Sequence, residues 1–155
     1  MRHAKSSWDS PLLDDHSRGL NSRGKNDAPL MAEQIKQKGI LPEIVYSSDS
    51  IRTKETLKLV TSVLPIAKTQ FISKLYLASE SEIYDVIKQI DNQFDTALII
   101  AHNPGITEAF YYLANVHIDN VPTSGVGCLT FDVNHFSEIR PRTGRLEYFI
   151  YPNQF

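Results

Sequence analysis

Cysteine is nearly absent: Cys128 is the only one among 155 residues. One thiol cannot close an internal disulfide, and a structural zinc site built on cysteines is excluded with it. Long apolar runs are lacking too. No stretch is long enough to span a bilayer and no signal-peptide pattern opens the chain, so the default expectation is a soluble cytoplasmic protein with no membrane partner. Excess charge of one sign is also missing. The 16 Lys and Arg stand against 18 Asp and Glu, a formal net charge of -2, which removes any general case for nucleic acid as a partner. Any positive field must be local. There are no internal repeats, low-complexity tracts or obvious linkers, and the length suits one domain over residues 1–155, with room for a proper core. The sequence leaves the oligomeric state open, with a monomer as the default.

What is present begins at the first residues, M-R-H-A-K-S-S-W. Arg2 offers a planar fork of donors matched to phosphate oxygens, and the imidazole of His3 can act near neutral pH as nucleophile, proton carrier or metal ligand. Lys5, Ser6 and Ser7 add donors, while Trp8 reads as a packing residue or pocket wall. Residues 9–26 are polar and rich in turn formers, which predicts a long surface loop, either the wall of an active site or a disordered excursion. A first helix is expected from an N-cap at Asp27, with Pro29 in its first turn, until Gly39 stops it.

Glu43 to Tyr46 reads as a buried strand that ends in the small polar cluster Ser47 to Ser50. A helical period follows, with Ile51, Leu57, Val60 and Leu64 on one face and Pro65 as its close. Arg52 therefore sits where a strand gives way to a helix, near backbone N–H groups that lack partners inside that helix. A strand at residues 70–73 comes next. Ser79 and Glu82 then have the spacing of a capping box, opening a helix with Ile83, Val86, Ile87 and Ile90 as its buried stripe. Thr96 to Ala101 is the most apolar segment and reads as a strand buried on both faces. It runs into the turn His102-Asn103-Pro104-Gly105, and a helix continues to Ala114. Residues 127–133 and 146–151 read as two further strands, antiparallel neighbours.

Strands alternating with helices predict an α/β fold with a mostly parallel central sheet flanked by helices. Ligands bind such sheets at the carboxyl ends of the strands. Arg52 and His102 each lie just past a predicted strand end. If Arg2-His3 does as well, separated basic positions converge on one pocket.

These residues resemble the histidine phosphatase superfamily, most closely its small SixA-type phosphohistidine phosphatase branch. The likeness is carried by Arg2 to Asp9, Leu20-Asn21 with Arg23-Gly24, Asp27-Ala28-Pro29, Ser47-Ser48 with Arg52, His102 to Gly105 and Pro122-Thr123. It implies a three-layer sandwich of the phosphoglycerate mutase-like kind. It also implies a phosphatase needing no metal or other cofactor, with His3 as nucleophile and a covalent phosphohistidine intermediate. Arg2, Arg52 and His102 would clamp the phosphoryl oxygens, with Lys5 and Ser6 as further donors. A zinc site from His3 and His102 lacks a third ligand. The substrate implied is a phosphohistidine on a protein; the alternatives are a small phosphorylated metabolite, or a phosphate-binding module that has lost catalysis.

Two departures accompany the resemblance. Members of that family carry a short apolar strand before the Arg-His pair, whereas Met1 stands directly before Arg2, so the N-terminal strand is expected to be missing. Either the true chain starts upstream, or a natural truncation leaves the core open at a cost of about several kcal/mol. The acid that larger members use has no clear counterpart either. Glu80 and Glu82 are explained by a helix start, and Asp14 and Asp15 are loop candidates. His16, His117 and His135 read as surface residues.

Overall fold

The computed structural model describes residues 1–155. Its centre is a parallel sheet of β1 (Ile44–Ser47), β2 (Lys68–Phe71) and β3 (Ala97–Ile100) in the order β2-β1-β3. All four residues of β1 are buried, as befits the middle strand. Helix α2 (Ile51–Thr61) connects β1 to β2, and α3 (Glu80–Lys88) connects β2 to β3. The side-chain alternation of a strand sorts the core into two layers. Val45, Leu98 and Ile100 pack with Met31 and Ile35 of α1 (Ser22–Lys38) and with Leu57 and Val60 of α2. On the other face, Ile44 and Tyr46 pack with Ile83 and Val86 of α3 and with Phe110 and Leu113 of α4 (Gly105–Ala114). The expected three-layer sandwich is the observed one, and no helix is long and apolar enough to cross a membrane.

The antiparallel pair β4 (Val126–Thr130) and β5 (Arg145–Ile150) forms as the alternation predicts. Val126 and Ile150 belong to the α1/α2 layer, and Leu129 and Phe149 face the other, so the pair continues the layering of the sheet. Between β3 and β4 lies an apolar cavity of about 320 Å³, lined by residues that include Ala97, Ile99, Val126 and Cys128, with Met1 at its edge. Beside it, residues 1–3 pair with the end of β3. The Met1 ammonium donates to Ile99 O at 2.9 Å, His3 N to Ala101 O at 3.1 Å and Arg2 N to Gly125 O at 3.0 Å. A parallel bridge joins Arg2 to Ala101. Burial holds the Met1 amino group down to about 5.

The first helix departs from expectation. It begins at Ser22, not after Asp27; Asn21 is its N-cap, accepting from Gly24 N, and Pro29 lies well inside it. Polar residues 22–26 hide this start, because the buried stripe of Gly24, Ala28, Met31, Ala32 and Ile35 opens on a glycine. Gly24 is needed there: a Cβ would sit 2.3 Å from Lys5 O, so only glycine lets the helix approach the segment after His3. The stop at Gly39 (φ 80°), the capping box at Ser79 and the turn before α4 are as expected. Ile51 is exposed, because α2 turns Arg52 inward instead.

Candidate active site

His3, Arg52 and His102 come from three separate elements and meet at the carboxyl end of the sheet. His3 follows the three-residue pairing beside β3, Arg52 is the second residue of α2, and His102 follows β3. All three are buried, and the two imidazole centroids lie 5.2 Å apart.

The hydrogen-bond partners fix both tautomers. Nδ1 of His3 is 2.7 Å from Ala4 O, a carbonyl that can only accept, so Nδ1 carries the proton and Nε2 keeps its lone pair. That lone pair faces Arg52 Nε at 3.4 Å. His102 is the reverse case. Its Nδ1 lies 3.2 Å from Arg52 Nη2, which can only donate, so Nε2 carries the proton and donates to Ser48 Oγ at 2.8 Å.

Both rings are held neutral. Burial, together with the guanidinium groups of Arg52 and Arg2, lowers His3 from 6.5 to about 4, against a raising contribution from its Ala4 contact. Burial and the neighbouring His3 and Arg52 lower His102 to about 3. Desolvation of the charged form dominates in each. Arg2 donates to Val121 O at 2.9 Å, and burial and repulsion from Arg52 lower its pKa. Its Nε and the hydroxyl of Ser124 are buried without any partner. Ser124, at φ 61°, donates its backbone N–H to His3 O.

The supporting residues explain this convergence. Thr56 Oγ1 accepts from Ala4 N at 3.0 Å and donates to Arg52 O at 2.7 Å, tying the backbone after His3 to α2. Ser50 caps α2, and Thr53 Oγ1 donates to Ser48 O, which shapes the strand-to-helix turn that carries Arg52. Asn103 donates to Val121 O, the carbonyl that Arg2 also engages.

Lys5 and Ser6 adjoin the site through their backbone, Lys5 O accepting from Asn21 N and Ser6 bridging to Leu20. Neither side chain has a hydrogen bond to Arg2, His3, Arg52 or His102. Asp15 stands closer. Arg52 donates to its backbone O at 2.7 Å and to Oδ2 at 3.0 Å, Tyr76 donates its hydroxyl to the same carboxylate, and Arg18 donates to Oδ1 at 3.1 Å. The Tyr76 ring lies edge-on to His102, with 5.3 Å between centroids. Tyr76 carries no motif and has no spacing that would single it out in the sequence. His16 is more than a surface residue, since it contacts Asp49 at 3.0 Å and the Tyr76 ring at 4.8 Å. Glu82 serves its capping box, and Glu80 stands beside Glu108.

No protein-family model matches the chain. Protein ML1117 of Mycobacterium leprae is 31% identical over 141 residues, which cover 83% of this chain and 86% of that protein. A chloroplastic protein of Arabidopsis thaliana, At3g52155, is 33% identical over 128 residues, 76% of this chain, but the match spans only 59% of the plant protein's length. Among solved structures, the protein histidine phosphatase SixA complexed with tungstate superposes with a TM-score of 0.85 at 21% identity, covering 99% of this chain and 96% of that one.

Proposed function

We propose that this chain, which belongs to one family with the Mycobacterium leprae protein ML1117 and has the SixA-type histidine phosphatase fold, is a phosphatase with His3 as its nucleophile. The observation that carries the reading is the unprotonated Nε2 of a neutral, buried His3, which accepts from the Arg52 guanidinium. A phosphoryl group resists attack because its oxygens repel an incoming electron pair, and fixed donors around those oxygens remove much of that barrier. Arg2 and Arg52 supply cationic donors, and their mutual repulsion, which helps to lower the Arg2 pKa, is relieved by a bound dianion. Proton-bearing Nδ1 on His3 keeps the ring oriented while Nε2 attacks.

In the first step the Nε2–P bond forms as the bond from phosphorus to the leaving group breaks. Water then attacks phosphorus, the Nε2–P bond breaks, inorganic phosphate leaves with the proton balance made by solvent, and neutral His3 returns.

The substrate favoured is a phosphohistidine on a protein. The carboxylate bonded to Arg52, Asp15, is held down to about 2, first by the Tyr76 hydroxyl and then by Arg52 and Arg18. Tyr76 itself is pushed up, so its phenol keeps its proton. With no acid of ordinary strength at hand, an alkoxide would leave poorly, whereas an imidazole leaves as a neutral ring once its distal nitrogen is protonated. Turnover of a phosphohistidine peptide, compared with that of a sugar phosphate and an aryl phosphate, tests the reading. His3→Ala is expected to abolish all three, and the phosphohistidine peptide is expected to give the highest kcat/KM. Retained turnover in that variant would overturn the mechanism, and a preference for the sugar phosphate would overturn the substrate.

A further inference from the structure

Asp15 meets Arg52 through two atoms. The backbone carbonyl takes Nη1 and the carboxylate takes Nη2, which fixes the plane of the guanidinium and leaves Nε and the rest of Nη2 turned toward His3 and His102. An arginine side chain free to rotate would lose rotamer entropy on grasping an anion. One already clamped has met that cost on folding.

The loop bearing Asp15 is built to hold it still. Its ends are closed by the Ser6–Leu20 bridge and by Ser7 N donating to Gly19 O at 2.8 Å. Leu20 N donates to Glu55 of α2 at 2.7 Å, and Ile51 N, at the start of that helix, donates to His16 O at 3.0 Å. Loop and helix are thus tied together at two points, with the carboxylate on one and the guanidinium on the other. The remaining oxygen of Asp15 is engaged by Arg18, whose guanidinium lies 3.4 Å from the centroid of the Trp8 ring.

We propose that Asp15 is a positioning residue that aims Arg52 at the phosphoryl group and donates no proton in the reaction. The inference rests on the reading of His3 as nucleophile and Arg52 as its anion-binding partner. Three side-chain donors converge on this carboxylate, and hydrogen bonds given to the charged form favour its ionised state. A general acid needs the opposite state.

The test is a double-mutant cycle on kcat/KM with a series of aryl phosphates of graded phenol acidity. Removing an anion-stabilising donor with Arg52→Ala is expected to cost on the order of 1000-fold. Asp15→Asn, which keeps the volume of the side chain, is expected to cost on the order of 100-fold through misplacement of Arg52. In the Arg52→Ala background, the same change should cost less than about threefold, because nothing is left to aim. The loss from Asp15→Asn should also be the same for every phenol. Tyr76→Phe, which leaves the carboxylate in place but removes one donor, should give a smaller loss that likewise disappears without Arg52.

Full additivity of Asp15→Asn and Arg52→Ala would overturn the proposal, as would a loss that grows with phenol pKa, the mark of a proton donor. Those outcomes would leave the nucleophile untouched. Failure of the underlying reading shows up elsewhere, as turnover surviving His3→Ala.

Discussion

Neutral His3 should leave a signature in the pH dependence of folding. An ordinary histidine binds its proton at 6.5, and the folded chain lowers His3 to about 4. Between those values the unfolded chain holds a proton that the folded chain lacks, so stability falls as pH drops through that window. Integrating the linkage from pH 7 to pH 5 gives a loss of about 2 kcal/mol from this one group, a large share of a typical total of about 5–15 kcal/mol. His3→Asn isolates it, because the shorter amide can still donate to Ala4 O yet does not titrate. Urea unfolding followed by far-UV circular dichroism at pH 7, 6 and 5 and constant ionic strength gives the loss for each protein. The wild type should lose about 2 kcal/mol more than the variant between pH 7 and 5, since all other titrating groups are common to both. Equal losses, within about 0.5 kcal/mol, would mean that burial and the arginines do not hold the ring neutral. The same property places the acid limb of kcat/KM near the His3 value of about 4, well below that of an unperturbed histidine.

Further outcomes follow from the supporting contacts. Thr56→Val leaves Ala4 N–H buried without an acceptor and should lower stability by about 1–3 kcal/mol, with Thr56→Ser restoring most of it; urea unfolding measures both. Ser48→Ala strands the His102 Nε2 proton at a similar cost of about 1–3 kcal/mol and should lower kcat/KM, as read in an aryl phosphate assay. Gly24→Ala drives a Cβ to 2.3 Å from Lys5 O, so α1 must shift; a loss of about 1–3 kcal/mol is expected in thermal unfolding.

Much of the layering was legible because burial repeats with the period of each element. The β1 and β3 runs and the Ile83, Val86 stripe are apolar wherever they face the core, and the Ser79–Glu82 pair and Gly39 announce their helix ends locally. The start of α1 was hidden, because its first buried position is a glycine chosen for closeness to Lys5 rather than for hydrophobicity. Arg52 and His102 were legible as candidates at the ends of strands, and Arg2 and His3 through the opening motif and the family it resembles. Tyr76 and the anchoring contacts of Asp15 were not. They act through hydrogen bonds between segments 37 and 61 residues apart in the chain, which leave no period or spacing to read.

The central claim is that a phosphoryl group passes onto Nε2 of His3. Rapid acid-free quenching of the protein during turnover of a radiolabelled aryl phosphate, followed by peptide mapping, measures it directly. One acid-labile, alkali-stable label is expected on the peptide carrying His3, absent from His3→Ala. A label on another residue, or steady turnover with none trapped at any time, would contradict it.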